Sequence, residues 1–194
     1  MKGIITQSLN QALEVLQKFV SDSSNVEKIA EAAKIMCTAL ENGGKIIACG
    51  NGGSLCDATH FCEELTARFR LNRRALPAVA INDPAFITCS LNDFSPESIF
   101  ERGVEALGKS GDVLLAISTS GNSKNVLLAA QYARKNGIKV VALTGKSGGA
   151  LAENCDVEIR APQSEFSDRV QEIHIKIIHI LVQCIEGGVI YKKA

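Results

Sequence analysis

Ile46-Ile-Ala-Cys-Gly-Asn-Gly-Gly-Ser54 joins a short apolar run to a glycine-rich turn. An apolar run of this length, bounded by glycines, is typical of a buried strand in a parallel sheet. The three glycines permit positive φ angles and close approach of the backbone to a ligand. Ser54 is placed to cap a following helix, predicted at residues 55–68. Strand, turn and helix N-terminus together predict an anion-binding site, because unpaired N–H groups and the helix dipole meet there.

The rest of the chain alternates between strand and helix patterns. Strands are predicted at residues 45–49, 78–81, 112–117, 138–143 and 156–159. Helical periodicity marks residues 4–20 and 26–41 before the first strand, and 164–185 after the last, while residues 71–77 read as an exposed basic loop. This alternation predicts an α/β fold: a three-layer, doubly wound, five-stranded parallel sheet flanked by helices, with an N-terminal helical pair. The predicted division is an N-terminal helical segment, 1–42, and one structural unit, 43–194.

Composition narrows the class of protein. The 194 residues carry 21 basic and 21 acidic side chains, so we expect no general affinity for nucleic acid or an acidic membrane. No apolar run approaches the roughly 20 residues of a membrane span, and no signal peptide is expected. The seven cysteines show no C-x-x-C spacing, which favours reduced thiols and a cytoplasmic location.

A second hydroxyl-rich loop, Ser118-Thr-Ser-Gly-Asn-Ser123, follows the strand predicted at 112–117. Its hydroxyls and backbone N–H groups could hold a phosphate at the start of the next helix. Taken alone, the loop is equally consistent with an ordinary serine-rich helix cap. The glycine turn at the end of another strand favours the ligand, because strand ends of a parallel sheet share one edge. Neither loop matches a Walker A or a dinucleotide fingerprint.

His60 and Glu64 lie four residues apart and therefore on one helix face. Such a pair could ligate a metal, act in acid/base catalysis or form a plain helix-surface contact. The other two histidines, His174 and His179, lie among isoleucines on the last helix, where a polar group needs a partner.

Several motifs together resemble one family over nearly the whole chain. They are Cys-Gly-Asn-Gly-Gly-Ser at 49–54, Asp57-Ala-x-His60 continuing to Glu64, Asn92-Asp93-Phe, Ile117-Ser-Thr-Ser-Gly-Asn-Ser123, and Arg169-x-Gln171 continuing to His179. The set resembles the phosphoheptose isomerases of the sugar isomerase (SIS) domain family. The resemblance implies a tetramer that converts sedoheptulose 7-phosphate to D-glycero-D-manno-heptose 7-phosphate, the first step toward the heptose of bacterial lipopolysaccharide.

The resemblance also implies roles for individual residues. Glu64 would be the base and His179 its acid/base partner. The phosphate would be held by Ser54, Ser118, Thr119, Ser120 and Ser123. The sugar would be lined by Asn51, Gly52, Gly53, Asn92 and Asp93, with Glu64 and Gln171 also in contact with substrate. One zinc ion per subunit would be bound by His60, Glu64, Gln171 and His179.

Two alternatives stay open on sequence alone. A non-catalytic SIS protein, which binds a phosphosugar or associates with a replication initiator, would share the sheet and the serine loop. An isomerase of another phosphosugar would share the acid/base pair as well.

Assembly is predicted from the last helix. Gln171 and His179 are about 12 Å apart along a straight helix and differ by roughly 80° in direction. One metal ion or substrate could contact both side chains of a single chain only at full stretch. The sequence therefore predicts that subunits share the active site, with Glu64 and His179 on different chains of a homotetramer.

Overall fold

The computed structural model describes residues 1–191. The helices are α1 (Lys2–Ser21), α2 (Ser24–Glu41), α3 (Gly53–Thr66), α4 (Pro84–Asp93), α5 (Ile99–Leu107), α6 (Lys124–Lys135), α7 (Gly149–Ala152) and α8 (Ser167–Ile185), which a π-helical turn (Glu186–Ile190) extends. The strands are β1 (Ile46–Gly50), β2 (Ala78–Ala80), β3 (Val113–Ser118), β4 (Lys139–Thr144) and β5 (Val157–Arg160). All five predicted strands are present, each within one residue of its predicted bounds.

The sheet is parallel throughout, with strand order β2-β1-β3-β4-β5. The chain moves outward from β1 to β2 and then returns to the other side of β1 to place β3. The order therefore switches between β1 and β3, which is where ligands bind in open sheets of this kind. Gly50 is paired with Ile117 in this register, so the two predicted loops leave the sheet side by side.

Helices cover both faces of the sheet, which confirms the three-layer fold. Successive residues of β1 point to opposite faces: Ile46 enters one core cluster and Ile47 the other. The first core is closed by α1, α2, α3 and α8, and the second by α5 and α6. All four side chains from Ile46 to Cys49 are fully buried, as expected for a strand covered on both faces.

The two N-terminal helices pack on the sheet rather than standing apart. Phe19 of α1 and Met36 of α2 are buried in the same core cluster as Phe61 of α3 and Ile177 of α8. The predicted division into 1–42 and 43–194 stays a prediction, and residues 192–194 of the second segment lie outside the described part of the chain.

The predicted N-cap of α3 is wrong. Ser54 does not cap α3: the helix begins at Gly53 with Gly52 as its N-cap, no side chain caps it, and Ser54 is buried in the first turn. Gly52 has φ +55°, and the helix begins two residues earlier than a cap at Ser54 requires. The last α-helix ends at Ile185, as predicted, and beyond it the Tyr191 N–H donates to the Glu186 carbonyl in a π-turn.

The segment Ser167–Ile190 is long and apolar enough to cross a membrane by length and composition alone. The prediction that no apolar run approaches a membrane span is therefore wrong on that criterion. One face of the segment is packed inside the protein, where Val170, Ile173 and Ile177 are buried. The core helix of a globular domain has these same properties.

Within residues 1–191 no disulfide joins any of the seven cysteines, which agrees with the prediction of reduced thiols. Cys49 and Cys62 are buried, and burial raises the pKa of both thiols to about 12. These two side chains therefore pack as small neutral hydrophobic groups.

Candidate active site

The serine loop leaves β3 at the switch point with its hydroxyls gathered. Ser118 Oγ donates to Ser123 Oγ at 3.0 Å and lies 3.5 Å from Ser120 Oγ. Ser118 is buried, and the Asn122 N–H donates to Ser120 Oγ at 3.1 Å. Thr119 points elsewhere and lines a neighbouring cavity of about 290 Å³ with Lys146. Three of the four hydroxyls in the serine loop thus converge at the N-terminus of α6, where an anion is favoured.

The glycine turn after β1 is hydrogen-bonded to α6, the helix that follows the serine loop. The Asn51 and Asn125 side-chain amides exchange two hydrogen bonds, both 2.9 Å, so the turn is held against the first residues of α6. A Cβ atom on Gly53 would lie 2.5 Å from Gln171 Nε2, and only glycine allows this approach. Gln171 of α8 therefore lies against the glycine turn, which contains the predicted sugar-lining residues 51–53.

His60, Glu64 and His179 form one compact cluster, with all three ligand atoms within 4.8 Å of one another. His60 Nε2 lies 3.0 Å from His179 Nε2 and 3.4 Å from Glu64 Oε1. The Glu64 side chain is 15% exposed and that of His60 is 38% exposed, so the cluster is partly open to solvent. Phe69 packs beside the His179 ring at 5.8 Å between ring centroids.

This cluster is assembled within one chain, so the prediction that Glu64 and His179 lie on different subunits is wrong. Helices α3 and α8 run side by side in the same direction, because Gln171 meets Gly53 and His179 meets His60. Separate subunits would be needed only if Gln171 and His179 had to contact one ligand. In the structure Gln171 contacts α3 at Gly53 and His179 contacts it at His60, and these two positions are about 10 Å apart along the helix. Gln171 as a fourth metal ligand stays a prediction.

Asn92 and Asp93 are not brought to either cluster. They end α4 with exposed side chains, and Asn92 Nδ2 donates to Asp93 Oδ1 at 2.7 Å. That bond, and a second from Cys89 Sγ, lower the pKa of Asp93 below its usual range. Within residues 1–191, neither side chain bonds to the serine loop or to the histidines. Their role at the sugar stays a prediction.

Asp57 lies beside His60 of the cluster, although no role was predicted for it. It lies on α3 three residues before His60, and its Oδ2 is buried without a hydrogen-bond partner in the described residues. Burial raises the pKa of this carboxyl to about 6, and the charge of His60 opposes the shift. The i,i+3 spacing from His60 was the signal in the sequence, because it puts both side chains near one face.

His174 has the partner that its apolar surroundings required. It is fully buried, and its ring Nε2 donates to the Thr144 carbonyl at 2.8 Å, which ties α8 to the carboxyl end of β4. Burial lowers the pKa of the imidazole to about 4, against the effect of this bond. His174 is therefore neutral at physiological pH and fixes the helix that carries Gln171 and His179.

Comparisons with known proteins agree with this geometry. Residues 8–145 match the family model described as the SIS domain. A phosphoheptose isomerase from Photorhabdus laumondii is 54% identical over 185 residues, which cover 95% of this chain and 96% of that protein. A solved phosphoheptose isomerase structure from Neisseria gonorrhoeae superposes with a TM-score of 0.90 at 38% identity, covering 96% of this chain and 98% of that one. One from Francisella tularensis gives 0.88 at 39% identity, covering 94% and 96%. The chain therefore belongs to the phosphoheptose isomerases, within the SIS-domain proteins.

Proposed function

We propose that this protein is an aldose–ketose isomerase that converts sedoheptulose 7-phosphate to D-glycero-D-manno-heptose 7-phosphate. The observation that carries the proposal is the pairing of a carboxylate, Glu64, with an imidazole, His179, beside a hydroxyl loop suited to phosphate. The relatives that match almost end to end are named phosphoheptose isomerases. The direct test is incubation with sedoheptulose 7-phosphate, with the product followed by NMR.

The chemistry divides between the two clusters. The hydroxyls of Ser118, Ser120 and Ser123, with the N–H groups that open α6, hold the phosphate. Glu64 moves a proton between C1 and C2 of the sugar through an enediol. His179 shuttles the protons of the two oxygens, since isomerisation needs an acid/base group at each of these positions.

The non-catalytic alternative is not favoured. A protein that only binds a phosphosugar needs the serine loop but has no need of a carboxylate and two imidazoles within 4.8 Å. Relatives from Photorhabdus laumondii, Sodalis glossinidius and Vibrio cholerae, at 52–54% identity, carry the name phosphoheptose isomerase. We place the reaction at the first step toward the heptose of lipopolysaccharide and the protein in the cytoplasm.

A zinc ion fits the cluster of His60, Glu64 and His179. Imidazole nitrogens and carboxylate oxygens are usual zinc ligands at about 2.0–2.2 Å. The 3.0 and 3.4 Å between their ligand atoms are close to the separations that such bond lengths give around one ion. A bound zinc would polarise the substrate carbonyl. Glu64 is a weaker base while it ligates a metal, so the two roles of this residue compete.

His60→Ala is expected to remove most of the bound zinc, because it deletes one of three clustered ligands. Equilibrium dialysis with metal analysis measures the zinc content. Cys56→Ser is the matched control: Cys56 is an exposed thiol on the same helix, beside the same groove as His60, and should keep its zinc. Unchanged zinc in His60→Ala would leave His60 with a structural role only.

Ser120→Ala combined with Ser123→Ala is expected to weaken substrate binding more than it lowers the rate of reaction of the bound substrate. Two bonds to a charged group contribute about 3–6 kcal/mol at most, since such contributions are rarely additive. Titration calorimetry with inorganic phosphate measures the loss, and Ser21→Ala, an exposed serine on α1, serves as the control. Equal phosphate affinity in the double variant and wild type would show that the loop is not the phosphate site.

We propose a homotetramer on the strength of the apolar surface of α1. Several large side chains of this helix face solvent in the single chain: Ile4, Ile5, Leu9, Leu13 and Val20. A contiguous apolar surface of this kind marks an interface in a globular protein. Sedimentation equilibrium measures the number of chains.

A further inference from the structure

Arg73 is buried, although its segment reads as an exposed basic loop. Its side chain is 1% exposed and its guanidinium makes five hydrogen bonds. They run to the carbonyls of Glu64 (2.6 Å), Leu65 (2.7 Å), Ala67 (3.1 Å) and Arg74 (3.2 Å), and from Nε to Glu186 Oε1 (2.9 Å). The expectation of an exposed loop is therefore wrong at this residue.

The bonds to the Glu64 and Leu65 carbonyls supply donors to the C-terminal end of α3. The last four carbonyls of an α-helix have no partner within the helix, and a cation near them is favourable. Arg73 supplies donors to two of the four, at Glu64 and Leu65. The backbone of Glu64, whose carboxylate belongs to the catalytic cluster, is therefore held directly by this guanidinium.

The Nε bond connects the same guanidinium to the other helix of the site. Glu186 is the first residue of the π-turn that extends α8, and its side chain is 4% exposed. It follows His179 by seven residues, about two turns along the helix. Arg73 and Glu186 thus join the end of the helix that carries Glu64 and His60 to the end of the helix that carries His179. Helical π-turns are frequent at functional sites.

We propose that Arg73, anchored by Glu186, is a positioning residue for the isomerase reaction: it holds α3 and α8 in the register that places the Glu64 carboxylate beside His179. The proposal rests on the proposed function. Arg73 acts through the Glu64 backbone and the end of α8, and its guanidinium donates to protein groups from Nε and from both terminal nitrogens. A misplacement of about 1 Å at a catalytic group can cost about 10²-fold in rate, so a small change of register is enough to matter.

The test compares Arg73→Gln with Asp112→Asn. Asp112 is a buried carboxylate just before the central strand β3, at the amino ends of the strands, where it accepts from Lys45 N–H, Lys45 Nζ and the Lys109 N–H. Both variants lose a buried charged pair, and both are expected to lower Tm. Only Arg73→Gln is expected to lower kcat by about 10–100-fold, the usual loss when a supporting residue is removed, with KM within about twofold. Zinc affinity, measured by competition with a chromophoric chelator, should fall in Arg73→Gln alone.

Equal kcat and equal zinc affinity in the two variants would overturn the proposal, since the arginine would then act on stability alone. If Arg73→Gln does not fold, Glu186→Ala decides by the same two readouts, because it removes the anchor and leaves the carbonyl bonds. Partial recovery of kcat in Arg73→Ala on adding millimolar guanidinium would support positioning, as a general loss of stability gives no such recovery. If wild-type protein did not turn over sedoheptulose 7-phosphate, the proposed function would be wrong. The zinc affinities of the two variants would still test whether Arg73 positions the cluster.

Discussion

Glu64→Gln is expected to lower turnover of sedoheptulose 7-phosphate by about 10²–10⁴-fold, the contribution of one positioned acid/base group. Glutamine keeps the shape of the side chain but cannot accept the proton from C1 or C2. Substrate binding should stay largely intact, because the phosphate is held by the serine loop at the start of α6. Steady-state kinetics give kcat, and calorimetry with the substrate gives the affinity.

The neighbouring carboxylate provides the control. Glu63 is 56% exposed, lies 3.5 Å from His60 Nδ1 and is outside the cluster of three. Glu63→Gln makes the same chemical change one residue away and should retain most of the activity. Near-normal turnover in Glu64→Gln, or equal losses in both variants, would remove Glu64 from the base role.

The fold was predictable because its signals are local. Four of the strands lie in apolar runs flanked by glycine or polar turns, and parallel strands covered on both faces produce such runs. The two loops could be placed at one edge of the sheet for the same reason: carboxyl ends of parallel strands lie together. The pairing of Gly50 with Ile117 then brings the glycine turn beside the serine loop.

The site was less predictable because its contacts are long-range. His60 and His179 are 119 residues apart in sequence, and helical periodicity gives the buried face of each helix without naming its neighbour. The parallel course of α3 and α8 follows from how both pack on one face of the sheet. Arg73 was misread for a related reason, since its acceptors include Glu186, 113 residues away.

His179→Gln is expected to lower kcat to a similar extent as Glu64→Gln, about 10²–10⁴-fold, because glutamine cannot exchange a proton with the sugar oxygens. Its partner His60 would remain beside Glu64 at 3.4 Å, so the fold of the cluster should persist. Steady-state kinetics measure the loss. His174→Gln is the contrasting change on the same helix. It is expected to lower Tm, because the buried His174 ring bonds to the Thr144 carbonyl, and to lower kcat less than His179→Gln does.

Mixing Glu64→Gln with His179→Gln tests where the two residues meet. Both belong to one chain in the structure, so every site in a mixed oligomer lacks one of them, and activity should stay at the level of the separate variants. Exchange of subunits is verified by native mass spectrometry of isotope-labelled chains. Wild type mixed with Glu64→Gln supplies the positive control, with activity in proportion to the wild-type chains. Recovery of activity in the verified double mixture would mean that α8 of one chain completes the site of another, against the 3.0 Å contact between His60 and His179 of a single chain.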